Sequence, residues 1–136
     1  DVGKMSSTHS ANPLVCAAGL AVLEELKERN LVEEAARKGA MLFGALHDMQ
    51  QRFPDRVSYV LGRGLIAAVL FRHPMTGEAD GTFTSQVAEI CMQKGLLVVH
   101  TGRESIKIGP PLTITDAALR EGVEVLGEAV AQASSR

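Results

Sequence analysis

The stretch Leu65-Ile-Ala-Ala-Val-Leu-Phe71 constrains the fold most. It is too short for an amphipathic helix, carries apolar residues at odd and even positions alike, and follows the turn-prone triplet Gly62-Arg63-Gly64. Such a run predicts a strand covered on both faces, at the centre of a small sheet. A first strand over Val57–Leu61 precedes it, and the two read as a hairpin. "HPMTGEADG", residues 73–81, reads as a loop. Thr82 to Lys94 has helical periodicity, with Phe83, Val87, Ile90 and Cys91 facing inward and Gly95 as its stop. "LLVVH" (96–100) and "SIKI" (105–108) are two further short strands, with Thr101-Gly102-Arg103-Glu104 between them and Gly109-Pro110-Pro111 after the second. Thr115 is an N-cap for a last helix carrying Leu119, Val123, Leu126 and Val130.

Two helices come first. Asn12 is an N-cap and Pro13 the first helical residue, where the missing N–H is no loss. The helix runs to about Arg29. Its first half is apolar nearly all round (Leu14, Val15, Ala18, Leu20, Val22, Leu23), with charges only in its last turns. A helix of that kind is expected to be buried on most sides, and something beyond this chain is expected to cover it. Asn30, with Glu33 three residues on, has the pattern of a capping box for a second helix. Val32, Ala35, Ala36, Gly39, Leu42, Phe43, Leu46 and Met49 form its apolar face, and Pro54 stops it near Phe53. The order α, α, β, β, α, β, β, α predicts an α+β two-layer sandwich, a small and mainly antiparallel sheet with helices on one face.

Composition closes off several functions. The 136 residues have a net charge of -2 and 22% charged residues, with no basic cluster interleaved with aromatics, so nucleic acid is not an expected partner. The longest apolar run, Leu14 to Leu23, is about half of what a bilayer needs, and no signal-peptide pattern opens the chain, so no membrane association is expected. Cys16 and Cys91 are the only cysteines. Both read as buried free thiols in a reducing, cytoplasmic setting. The four histidines, His9, His47, His73 and His100, have no metal-ligand spacing, so no metal is expected.

Three places could bind something. Ser6, Ser7, Thr8 and Ser10 put hydroxyl donors just before a helix N-terminus, which is either an anion site or a solvated terminus. Gly62-Arg63-Gly64 could approach a phosphate, but it lacks the rest of a nucleotide fingerprint and reads better as a β-turn. Lys107, between Ile106 and Ile108, points to the opposite sheet face from them, either into solvent or over a site for an anionic group. Arg103, on a loop, is a second candidate cation.

Three motifs in order then carry a resemblance. "SSTHSANPLVCAAGLAVLEEL" resembles the Ser-Thr-x-x-x-Asn-Pro-Leu-x-Cys-Ala-Ala segment of the class III aminotransferases, pyridoxal 5'-phosphate enzymes of fold type I. "GRGLIAAVLF" is similar to the Arg-Gly-x-Gly-Leu strand of their small domain, and "IKIGPPLTIT" to their Arg-x-x-Pro-Pro-Leu-x-Ile segment. The resemblance implies that the chain is the C-terminal piece of such an enzyme. Residues 1–30 would be a cofactor-phosphate loop and interdomain helix, and residues 31–136 the C-terminal small domain, with the large catalytic domain absent. It further implies that Thr8 donates to the cofactor phosphate across a homodimer interface and that Ser7 lies in the same loop. The Schiff-base lysine would lie upstream, so no catalytic residue is expected here and the chain alone is expected to be inactive. Lys107 stands where many members have an arginine that clamps the substrate α-carboxylate. The substitution favours a branch that takes an amine, ω-amino acid or diamino acid as donor, with a 2-oxo acid as acceptor. A decarboxylase, aminomutase or racemase of the same family, or a stand-alone non-catalytic α+β interaction module, are the alternatives.

Overall fold

A computed structural model describes residues 12–100 and 102–135. The chain divides into two compact units, residues 1–33 and 34–136. In the first, α1 spans Pro13–Glu28. Asn12 caps it: its side chain accepts from the Leu14 N–H at 3.0 Å, and Pro13 fills the first helical position. None of its residues is buried within this chain, Cys16 included. That corrects the expectation of a buried Cys16 and leaves α1's apolar surface uncovered among the described residues. Asn30 is not the start of a capping box. Its φ is +48° and its N–H donates to the Lys27 carbonyl at 3.2 Å, so it closes α1 in the left-handed conformation asparagine tolerates.

The second helix, α2, spans Leu31–Arg52. Gly39, Leu42, Leu46 and Met49 are buried as their spacing demands, whereas Val32 and Ala36 are exposed and Lys38 is buried. β1 (Val57–Arg63) and β2 (Ile66–Phe71) form a hairpin whose two central residues are Gly64 and Leu65. Gly64, at φ +59°, supplies the positive φ that the first central position of a II′ turn needs. Strand pairing therefore continues through Gly62 and Arg63, and the tight turn falls one residue later than the Gly-Arg-Gly triplet suggests. The tip packs on α2 so closely that a Cβ on Gly39 would lie 2.6 Å from Gly64 Cα.

Next come α3 (Gly81–Gln93), β3 (Val99–His100), β4 (Ser105–Ile108) and α4 (Asp116–Ser134). Asp80 caps α3 by accepting from Phe83 N–H at 2.9 Å, and Thr115 caps α4 by accepting from Ala118 N–H at 3.2 Å. The sheet is wholly antiparallel, in the order β1-β2-β4-β3, so the apolar run of β2 is central as expected. β3 is shorter than "LLVVH" suggests. Val99 pairs with Lys107, a register that would set Leu96 opposite Pro110. Proline has no N–H to offer a ladder, so the pairing stops.

One face of the sheet (Val57, Ala67, Val69, Phe71, Ile106) packs against α2, α3 and α4, where Phe83, Val87, Ile90, Leu119, Leu126 and Val130 complete the core. The other face is open: Ile66 is 74% exposed, and Tyr59, Leu61 and Val99 are exposed with it. The two layers are those expected. The apolarity of β2 on its second face is left uncovered by the described residues.

Candidate functional site

Strand register builds the open face. Leu61 pairs with Ala68, Ala68 with Lys107, and Lys107 with Val99, so these four residues form one row across the sheet. Lys107 is exposed, while Ile106 beside it is fully buried on the helix side. Its ammonium therefore stands on an apolar row, with no ion pair among the described residues. Arg63 lies on the same face at the hairpin end, opposite Ile66. Arg103 differs: its Nε sits 3.8 Å from Glu104 Oε2, so it faces an acid of its own loop. Ser7 and Thr8 lie outside the described residues, as do Ser6, His9 and Ser10.

A cavity of about 320 Å³ adjoins Lys107, between the β3–β4 edge, the Pro110-Pro111 segment and the α4 face bearing Leu119, Gly122 and Val123. Sequence reasoning did not find it, because its walls come from segments far apart in the chain. The cue was the double proline, which ends the β3–β4 ladder and leaves Leu96–Val98 outside the sheet.

A second polar feature has a structural role. Arg37 binds Asp116 through both ends of its fork, at 2.7 and 2.9 Å, and also reaches Glu34 at 2.9 Å. The Arg37 hydrogen bonds hold the Glu34 and Asp116 carboxyls below their ordinary values, and the two carboxylates raise Arg37. Beside them the buried Lys38 donates to the Leu112 carbonyl at 3.3 Å and lies 3.6 Å from Glu34. These bonds tie the starts of α2 and α4 together.

The described histidines, His47, His73 and His100, do not converge. His73 Nδ1 accepts from the backbone N–H groups of Met75 and Thr76 and so shapes its own loop. His47 packs beside Phe43. His100 Nε2 lies 2.8 Å from Ser85 Oγ, which also donates to the Gly81 carbonyl at 2.9 Å. Among the described residues no three His, Cys, Asp or Glu side chains could hold a metal. No described helix is long and apolar enough to cross a membrane. Cys91 is buried, and burial pushes its thiol up to about 11.

Comparison with known proteins supplies the frame for these pieces. The family model "Aminotransferase class-III" matches residues 1–130. An acetylornithine aminotransferase of Synechocystis sp. is 32% identical over 130 residues, which are 95% of this chain and 29% of that protein. A putrescine aminotransferase of Pectobacterium atrosepticum is 35% identical over 127 residues, covering 89% of this chain and 26% of that protein. Among solved structures, a transaminase from the marine bacterium Virgibacillus superposes with a TM-score of 0.84 at 26% identity, covering 96% of this chain and 31% of that one. The chain thus spans under a third of the length of these relatives. With the family model matched over residues 1–130 and its fold shared by solved transaminases, the chain belongs to the class III aminotransferases, a pyridoxal-phosphate-dependent family of fold type I.

Proposed function

We propose that this chain is the C-terminal small-domain portion of a cytoplasmic, homodimeric class III aminotransferase. The whole enzyme moves an amino group from an amine, ω-amino acid or diamino acid to a 2-oxo acid. The observation that carries this reading is the family match over residues 1–130, joined to relatives named for acetylornithine and putrescine. The chain itself performs no turnover, because the Schiff-base lysine belongs to the large domain.

The residues present fit the implied cofactor. A phosphate dianion needs converging donors and no competing acid. Residues 5–12 carry four hydroxyls and no carboxylate, and the first turn of α1 beyond them holds no acid either. Ser7 and Thr8 would hold the phosphate of pyridoxal 5'-phosphate, which when bound supplies the electron sink for amino-group transfer. Lys107 holds an anionic group of the substrate. An ammonium is a compact point charge, so it attracts a carboxylate without the planar two-point grip of arginine. The apolar row around it (Leu61, Ala68, Val99) keeps competing polar groups away from that contact.

The test compares the 136-residue chain with the longest chain its gene encodes. Each is given pyridoxal phosphate, 2-oxoglutarate, and acetylornithine or putrescine. Glutamate is expected only from the longer chain. Turnover by the 136-residue chain would overturn its inactivity, and a longer chain inert toward every amine in a broad panel would overturn the function.

A further inference from the structure

The cavity between the β3–β4 edge and α4 is lined by the packed unit alone. The buried core residues Leu119 and Leu126 meet the half-buried Leu96, Val98, Ile108 and Ile114 there. Lys107 is the one charged residue in the lining, and strand alternation sends its side chain to the open face of the sheet, away from α4. Every other lining residue is apolar, glycine or proline. His100 Nδ1, the buried side-chain atom without a hydrogen-bond partner among the described residues, is not part of it. The space therefore faces neither a charge nor a side-chain donor or acceptor.

Gly122 leaves room in it. This glycine sits inside α4, where it weakens the helix relative to alanine. No close approach requires it: a Cβ there would meet only Leu96 Cδ1, at 3.6 Å, an ordinary contact. Pro110 and Pro111 add backbone that their rings stiffen.

We propose that this cavity binds a small molecule through a compact, uncharged hydrocarbon group, a single ring with a short alkyl arm. An apolar cavity of about 150 Å³ takes benzene. This one, at about 320 Å³, has room for the arm as well. Water is a poor occupant, because each molecule needs several polar partners. A peptide segment is another, since its backbone N–H and C=O groups would be buried unpaired. A carboxylate or ammonium would lose its water with nothing to pair with. The proposal depends on neither the cofactor nor the reading of Lys107.

The test follows the methyl groups of the 136-residue chain by NMR while benzene, toluene, ethylbenzene and propylbenzene are titrated in turn. We expect saturable shifts at Leu119 and Val123, which line the cavity, and none at Leu14 or Leu20 on the exposed apolar surface of α1. Affinity should rise up to about fourfold per added carbon. Benzoate and benzylammonium should each bind at least about tenfold more weakly than ethylbenzene. Gly122→Leu grows into the cavity without a backbone clash, in a helix that favours leucine over glycine, and should abolish binding.

Shifts that do not saturate, affinity that ignores the alkyl arm, or benzoate as tight as ethylbenzene would each overturn the proposal. None of these needs a variant, so they decide the matter even if Gly122→Leu fails to fold. A folded Gly122→Leu chain that still binds would overturn it too. Ethylbenzene should also bind the longest chain the gene encodes. Loss of binding there would make the cavity a seat for another part of the polypeptide, and the small-molecule site would fall.

Discussion

α1 and the unit formed by residues 34–136 are both rich in apolar residues, yet only the second builds a core. In α1, Leu14, Val15, Leu20, Val22 and Leu23 are all exposed. In the larger unit Leu46, Val69 and Ile106 are fully buried. The difference lies in pattern rather than amount. α2, α3 and α4 carry their apolar residues on one stripe, and β2 buries Ala67, Val69 and Phe71 on one face, so each surface finds a mate in the same unit. The first half of α1 is apolar nearly all round and has no single stripe to satisfy. Its 16 residues hold together by local means, a cap and a proline at the start, and a lone helix of that length is marginal in water. A surface that apolar is suited to burial against further protein.

The two cysteines report on this contrast with the largest expected effect. Cys16 is exposed on α1, whereas the Cys91 thiol is buried in α3 and pushed up to about 11. At pH 8 about a thousandth of such a thiol is the reactive thiolate, before burial slows it further. Mass spectrometry after iodoacetamide treatment should find Cys16 alkylated at least about a hundredfold faster than Cys91. Equal rates would mean that the larger unit opens as readily as α1. In the longer enzyme Cys16 should become slow, if α1 is covered there.

Truncation of side chains should follow in size. Phe71 is buried at the edge of Phe83, with ring centroids 5.5 Å apart. Phe71→Ala should cost about 3–5 kcal/mol in urea unfolding. Leu20→Ala on α1 should cost less than about 0.5 kcal/mol, the usual size for an exposed site. A large loss at Leu20 would show that α1 is packed in solution.

The same contrast explains how much the sequence disclosed. All eight elements were legible in order, because helical stripes and strand runs are local patterns and the turn residues at Gly62–Gly64, Gly95 and Pro110 punctuate them. The errors sit where local signals compete. Asn30 could cap α2 or close α1, and the residue after a helix often takes the left-handed region. Val32 and Ala36 matched the helical period yet are exposed, while Lys38, a cation that periodicity assigns to solvent, is buried with its ammonium on the Leu112 carbonyl. Cys16 lies in an apolar run, but burial depends on a partner that periodicity cannot supply. At the site, the facing of Lys107 followed from strand alternation alone. The cavity beside it did not, since it depends on Leu42, Leu97, Pro110 and Gly122 meeting in space.

The two glycines of α2 give a finer test within the packed unit. A methyl at Gly39 would press on the Gly64 backbone at 2.6 Å, whereas one at Gly44 would meet nothing within 4 Å. Gly39→Ala should lose about 1–3 kcal/mol through forced displacement of the hairpin tip. Gly44→Ala should gain roughly 0.5–1 kcal/mol from helix propensity. If Gly39→Ala is also stabilising, the hairpin tip is free to move and the close approach does not constrain it.

The smallest effect concerns the Arg37–Asp116–Glu34 cluster, which joins α2 to α4 at the exposed end of the packed unit. Arg37 lowers the carboxyl pKa of Asp116 from its ordinary 3.8 and that of Glu34 from its ordinary 4.5. The unfolded chain therefore binds protons to these carboxyls more readily than the folded one. Their contribution is present in full above the ordinary values and is lost as pH falls through the lowered ones. Arg37 is raised, so it stays charged throughout and adds no pH dependence of its own. All three side chains are more than a third exposed, so solvent screening keeps the gain small even with two-point geometry. Asp116→Asn removes the charge from the fork and from the first turn of α4, where an acid also favours the helix. Its melting temperature should fall slightly below that of the unaltered protein at pH 7, and the gap should narrow as pH falls below the ordinary carboxyl values and through the lowered ones. Pairing it with Arg37→Gln separates the fork from the helix end: if the two losses simply add, the contact between α2 and α4 contributes nothing, and the packed unit is held by its apolar core alone.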